Sequence, residues 1–356
     1  MSSSSNVPGP GAANPSHERG RRHPEEALVF SRDVSGAFGA DMRLRRLVDR
    51  GLLQRINRGQ YVAAQEWSAL GRDDRYRVRV LAAARSRTAA PPLSHESAAV
   101  LWGLPVLAGW PAEVHFVTER RSGGRSYPGV RVHAVGFDAR DVTVREGVVL
   151  TTVERTVVDL AARLDVKSAV AVIDRALAVD RFRRVPAMTT KLQLLETWER
   201  MLPFRGSVRA RVLIEFGSEL ADSPNESASR VNIALSGFPE PVLQKTFVID
   251  GRRYDTDFYW EEFDAVGECD GDAKYFDPVL LGGRTTAEVV KAEKDREDAI
   301  RRRVAAFGRW DSAVAMSQYR LRERLLELGL PARRRRLLLP QSDLQRDPRV
   351  ERRYAG

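Results

Sequence analysis

Asp255-Thr256-Asp257-Phe258-Tyr259-Trp260-Glu261-Glu262-Phe263-Asp264-Ala265-Val266-Gly267-Glu268-Cys269-Asp270 is the stretch on which the fold turns. Between Asp255 and Asp277 there are nine acidic residues and a single basic one, Lys274, in a chain whose formal net charge is +10. Clustered carboxylates repel, and they are tolerated when solvated or bound to a cation. The pattern predicts a strand over 252–259, a turn over 260–264 and a second strand over 265–270. Side chains alternate along a strand, so Asp255 and Asp257 share one face, and Glu268 and Asp270 share one face of the neighbouring strand. If the strands pair through the turn, Asp257 and Glu268 converge. Two carboxylates at strand ends suit a hard cation such as Mg²⁺, which polarises a phosphodiester and activates water.

Working outward, 245–249 reads as a strand, and Asp250-Gly251 signals a tight hairpin into the next one. A helix capped by Ser223 or Asn225 runs from Glu226 towards Leu235, with Glu226 and Arg230 one turn apart. A further helix is expected from Thr286 to about Val304, with Lys291, Lys294 and Asp298 on one face. Helix, three antiparallel strands, helix is the core order of restriction-endonuclease-like domains.

The residues of this region resemble the very-short-patch-repair-like branch of the PD-(D/E)XK nucleases. Glu226-Ser227-x-x-Arg230, then Asp257-Phe258-Tyr259-Trp260, then Val266-x-Glu268-Cys269-Asp270-Gly271 carry the resemblance over about 90 residues, with 11 residues from Asp257 to Glu268. The resemblance implies that Asp257 and Glu268 are metal ligands for Mg²⁺ or Mn²⁺. It puts Glu226 at the site as an outer ligand or water orienter, and Asp270 in the cation shell. The usual pattern has lysine two residues after the glutamate, where this chain has Asp270. Lys274 or Lys294 is then the candidate replacement cation. The domain either hydrolyses DNA, or RNA, which the residues of this site do not separate from it, or keeps the nuclease fold as a binding or dimerising module. Cys269 alternates away from Glu268 and reads as a small buried residue. Trp260 and Trp310 read as packing.

Near the N-terminus a helix over 40–50 is expected to end at Gly51, followed by a hairpin over 52–62 that turns at Asn57-Arg58-Gly59. A shorter helix capped by Ser31 or Asp33 precedes it. Helix, turn, arginine-bearing helix and basic hairpin is the plan of a winged helix. Arg43, Arg46 and Arg50 share a helix face, and Arg55 and Arg58 lie on the wing, so these five are the candidate DNA contacts. The run 45–62 resembles the N-terminal domain of AbiEi-type antitoxins of type IV toxin–antitoxin systems. That resemblance implies promoter binding and a nucleotidyltransferase toxin partner.

The middle of the chain is expected to contain a helix over 94–105, strands over 114–118, 129–134 and 148–152, a helix capped by Thr151 or Thr152 with Glu154 as reciprocal partner, and a helix over 170–179. It resembles the corresponding region of the same antitoxins. His95 and Glu96 are helix neighbours and so do not face each other. His115 and His133 lie on separate strands, where they pack as core or capping residues, or pair across a sheet and with a carboxylate bind a metal. No chemistry is assigned to them, and the region reads as a scaffold or partner surface.

The 356 residues point to several domains. The expected fold class is α+β multidomain: a disordered arm (1–25), a winged helix-turn-helix (26–68), a mixed α/β middle domain (72–185), a helical connector (186–222), a restriction-endonuclease-like α/β domain (223–315), and a C-terminal helix with a basic tail (316–356). Of the 58 basic residues 52 are arginine, which suits double-stranded DNA but also fits surface arginine scattered by a GC-rich genome. The single cysteine excludes a disulfide framework and a cysteine-rich zinc site. No apolar run reaches the ~18 residues of a membrane span, and the start of the chain carries no secretory apolar segment. The expected setting is the cytoplasm, with no membrane partner and homodimers on DNA.

Overall fold

The computed structural model describes residues 28–30, 40–86, 90–120, 123–179, 185–270 and 286–332. The chain is mixed α/β with several small sheets and divides into two compact units, 1–83 and 84–356. The N-terminal arm, the short helix expected before residue 40, Lys274 and the basic tail lie outside the described residues.

In the first unit, β1 (Val29–Phe30) precedes α1 (Ala40–Asp49), β2 (Leu53–Asn57), β3 (Gln60–Ala63), α2 (Ala64–Ala69) and the start of α3 (Arg72–Arg85). Gly51 ends α1 in the left-handed conformation (φ +69°) that a side chain would disfavour. The Gly51 and Leu52 amides return to the carbonyls of Val48 and Leu47 at 2.9 Å. β2 and β3 form the expected hairpin, with Gly59 at φ +72°, and β1 adds to the outer edge of β3. Leu44, Tyr61 and Val62 are buried under it, and Gln60 donates to the Ala82 carbonyl.

The second unit opens with α4 (His95–Trp102), ended by Gly103 at φ +70°. β4 (Val114–Val117) and β5 (Val130–His133) pair in parallel, and β6 (Val142–Arg145) and β7 (Val148–Thr151) form an antiparallel hairpin. Leu93 bridges to both Phe116 and Leu150, stitching the two small sheets together. Thr152 caps α5 (Val153–Ala161), its side chain accepting from the Arg155 amide at 3.3 Å. Arg155, not Glu154, holds the third helical position, so the reciprocal half of the expected cap does not form, because only the third residue reaches back. α6 (Val166–Leu177) starts four residues before the expected position because Asp165 caps it.

α7 (Lys191–Met201) and α8 (Ser207–Phe216), in the stretch read as a connector, pack into the core. Leu194, Ala210, Leu213 and Ile214 are fully buried with residues of α5, α6 and α9 (Pro224–Leu235). Beneath α5, Arg155 donates to Asp141 (2.9 Å), Asp159 (3.0 Å) and the Gly136 carbonyl (3.0 Å), while Arg200 holds the other Asp141 oxygen at 2.5 Å. No helix among the described residues is long and apolar enough to cross a membrane.

The C-terminal part carries a four-stranded sheet. β8 (Val242–Ile249), β9 (Arg252–Trp260) and β10 (Ala265–Cys269) run antiparallel. α10 (Thr286–Arg301) then leads to β11 (Ala306–Trp310), which pairs with β10 in parallel. α11 (Ser312–Ala315) and α12 (Gln318–Glu327) follow. One face of the sheet packs Phe258, Trp260, Cys269 and Trp310 against α9 and α12 residues; Val266 lies on the other with Ala299 and Ile300 of α10. Gly267 lies against both tryptophans, and a methyl there would sit 2.5 Å from a Trp310 ring carbon. Gly267→Ala is therefore expected to lower Tm by several degrees in a thermal melt, the usual result of overpacking.

Candidate active site

Alternation along β9 and β10 sends Asp257 and Glu268 to the same side of the sheet. The register that pairs Gly267 with Phe258 continues to bring Glu268 opposite Asp257. The same row extends outward on both sides. The β8–β9 register carries Gln244 opposite Asp257, and Glu268 pairs with Arg309 on β11. One rung across four strands thus reads Gln244, Asp257, Glu268, Arg309.

α9 adds Glu226 from beside this rung. Pro224 opens the helix, and the Ser223 hydroxyl accepts from the Glu226 amide at 3.2 Å, which fixes the first turn. Glu226 is 7% exposed. One carboxylate oxygen accepts from the Asp222 amide (2.9 Å) and from Gln244 Nε2 (3.2 Å). Gln244 itself has a left-handed backbone (φ +52°), a strained conformation for a non-glycine residue. Asp257 Oδ2 accepts from the Cys269 amide at 2.8 Å. Cys269 points to the other face, and burial pushes its thiol up to about 12, so it is no nucleophile.

Glu268, 4% exposed, is gripped by Arg296 of α10, whose two terminal nitrogens donate to its two oxygens at 2.6 and 2.9 Å. Arg309 lies 3.7 Å from Glu268 and 2.7 Å from Asp270 Oδ1, and it also binds Glu293 (2.7 Å) and Glu297 (2.9 Å). Burial works against the charge of both guanidiniums, but their carboxylate partners outweigh it and hold both above their usual values. Lys294, expected as the replacement cation, is exposed on α10. Arg296 reaches the site instead because it shares the sheet-facing stripe of Glu293, Glu297 and Ile300. That stripe was visible in the helical spacing. Arg309 gave no such signal, since its role depends on the parallel pairing of β11.

The remaining acids of the sequence cluster divide by role. Asp264 accepts from the Tyr259 hydroxyl (3.0 Å) and the Ala305 amide (2.9 Å), and so holds the turn. Asp255 accepts from Thr246 at 2.5 Å, and Glu261 pairs with Lys245 at the surface.

Around the rung the acids Glu268, Asp270, Glu293 and Glu297 gather about the guanidiniums of Arg296 and Arg309, with Arg301 holding Glu297 from the outside at 2.7 Å. Glu226 has no cationic partner among the described residues. Burial first, and then the charge of Asp257, push its carboxyl up to about 8. A buried acid raised by its neighbour's charge is the electrostatic setting a divalent cation relieves. Among the described residues no three acid, histidine or cysteine side chains enclose a common point at metal-ligand spacing. A cation here would therefore rest on two carboxylates with water completing its shell, an arrangement Mg²⁺ accepts. In that sense the residues fit the ion.

The sign of the Glu226 shift gives an expected result. Its folded pKa, about 8, exceeds the unfolded value of about 4.3. The folded chain therefore holds the proton more tightly, and stability is lost as pH rises from about 4 through 8. Glu226→Gln is expected to melt several degrees above wild type at pH 8 and with it at pH 4. Equal melting at both pH values would contradict the shift.

On the first unit, Arg43, Arg46, Arg50, Arg55 and Arg58 are all exposed, and among the described residues none pairs with a carboxylate. Arg55 donates to the Asn57 carbonyl, and Arg46 contacts the Met42 sulfur.

No family model matches the chain, and no curated protein is significantly similar to it.

Proposed function

We propose that this chain is a DNA-binding regulator of the AbiEi antitoxin type, joined to a Mg²⁺-dependent phosphodiesterase site of the PD-(D/E)XK kind. The observation that carries the nuclease half is the rung itself, with Asp257 and Glu268 opposite each other and Glu226 beside them. The order α9–β8–β9–β10–α10–β11 supports the restriction-endonuclease-like reading. The helix–hairpin with five exposed arginines, none paired with a carboxylate among the described residues, supports the winged helix.

In this proposal Asp257 and Glu268 hold Mg²⁺ or Mn²⁺, which would polarise a phosphodiester and lower the pKa of a bound water. The chain's own groups do the rest. Arg296 and Arg309 fix the Glu268 carboxylate and supply the positive charge missing at position 270. Asp270, paired with Arg309, orients that guanidinium. Glu226, protonated near neutrality, holds a proton beside Asp257 that it gives up as negative charge there is neutralised.

A non-enzymatic reading has an observation of its own. Both Glu268 oxygens already sit in the Arg296 fork, and a carboxylate so engaged serves a fixed binding module as well as a catalyst. Cleavage of plasmid and short duplex DNA with Mg²⁺ or Mn²⁺ separates the two. Metal-dependent cleavage by wild type that is absent from Asp257→Asn and Glu268→Gln supports the enzyme; DNA binding without cleavage supports the module.

On the DNA-binding half, changing Arg46, Arg50 and Arg58 together to Gln is expected to weaken duplex binding at least tenfold. The slope of log affinity against log salt should shrink by about 3, one unit per lost phosphate contact. An unchanged slope in a fluorescence-anisotropy titration would remove α1 and the hairpin from the interface. A nucleotidyltransferase toxin partner and homodimers on a palindromic operator belong to the same proposal.

A further inference from the structure

The second unit contains a cavity of about 670 Å³ to which the nuclease proposal gives no role. That is the size of a small-molecule site. Among the described residues that line it are five arginines, Arg120, Arg155, Arg163, Arg200 and Arg205, against three aspartates. Arg155 and Arg200 are committed to the aspartates Asp141 and Asp159. The others keep donors in reserve. Arg120 gives Nε to the Val135 carbonyl and, among the described residues, one further long contact, 3.4 Å, to that of Pro203. Arg163 touches Glu96 and His115 only at 3.4 Å, and its side chain is 42% exposed. Arg205 is exposed and pairs with no acid among the described residues.

Behind one wall of the cavity three histidines meet. His95, 5% exposed, lies on the cavity wall and opens α4 with a left-handed backbone (φ +51°). Its ring stacks on His133 with centroids 3.8 Å apart, and His133 Nε2 lies 3.4 Å from His115 Nδ1. His115 Nδ1 in turn lies 2.8 Å from Glu96 Oε2. The register of parallel strands β4 and β5 brings His115 and His133 together, while the turn into α4 brings His95 over them. A buried, strained, non-glycine residue facing a cavity marks a site held in shape by its surroundings. Burial, and then the neighbouring His133, keep the His95 imidazole well below its ordinary pKa, so it faces the cavity uncharged.

The charge of the occupant follows from the walls. Two more guanidiniums than carboxylates call for a dianion, and donors arriving from separate arginines suit the several oxygens of a phosphate better than a single carboxylate. Phe137 and Phe204 supply an apolar wall beside them. We propose that this cavity binds a nucleotide-sized phosphate monoester, its phosphate on Arg163 and Arg205 and its ring against Phe137 and Phe204.

The test is a calorimetric titration of the full chain with adenosine monophosphate at low ionic strength, alongside adenosine, citrate and a short DNA duplex. Saturable one-to-one binding of the monophosphate is expected, with adenosine at least tenfold weaker. Arg205→Gln removes no ion pair or hydrogen bond among the described residues and should lower affinity at least tenfold with an unchanged melting temperature. Arg163→Gln should do the same for affinity. No saturable binding, or affinity indifferent to Arg205→Gln, would overturn the proposal. So would citrate binding as tightly as the monophosphate, which would make this a general anion site. Displacement of the monophosphate by the duplex would also overturn it, making the cavity a contact for nucleic-acid backbone.

Discussion

Arg155→Ala is expected to cost about 3–5 kcal/mol of folding stability, the range for removing one partner of a buried ion pair. Arg155 is 3% exposed and neutralises Asp141 and Asp159, themselves 3% and 8% exposed. Asp141 would keep Arg200, but Asp159 has no other cation among the described residues. Burial already pushes the Asp159 carboxyl up to about 6 with Arg155 in place. Without that guanidinium it must rise further, so the penalty should be large at pH 8 and shrink as pH falls towards 5 and the carboxyl is protonated. Urea unfolding at the two pH values measures this. A loss under 1 kcal/mol, or one independent of pH, would mean that the pair is replaced by solvent.

The second large effect is on the proposed chemistry. Asp257→Asn should abolish metal-dependent cleavage, by at least a thousandfold, while the fold survives. Its Oδ2 accepts from the Cys269 amide, and an asparagine oxygen accepts there equally well. The change removes one negative charge from a cluster of carboxylates that outnumber their guanidiniums. Melting temperature should therefore hold or rise while activity disappears. That combination separates a cation-holding acid from a structural one, whose loss would lower both. Glu268→Gln is a less clean variant because it also loosens the Arg296 fork.

Much of the local structure is legible in the sequence. Gly51, Gly59 and Asp250-Gly251 marked turns that form where expected, because left-handed backbone has few substitutes for such residues. Alternation along β9 and β10, with pairing through the turn between them, places Asp257 and Glu268 opposite each other, as the register has them. Arg296 is partly legible, since its stripe on α10 can be read from spacing, although the usual pattern points to a lysine and Lys294 lies on the exposed side of the same helix. What was not legible depends on long-range pairing. β11 is five residues long and follows a short break, so nothing local shows that it lies parallel to β10 and delivers Arg309 to Glu268. The same holds for the cavity: His95, His115 and His133 sit on three elements, and no periodicity along the chain shows that their rings meet. The reciprocal cap at Glu154 failed for a local reason, a displacement of one residue.

The central claim is that the carboxylates around Asp257 hold a divalent cation, and Mn²⁺ titration by calorimetry at pH 7.5 tests it most directly. Wild type is expected to show one saturable site with protons released as Glu226 ionises, and Asp257→Asn to show none. Absence of saturable binding in the wild type, or binding that Asp257→Asn leaves intact, would contradict it.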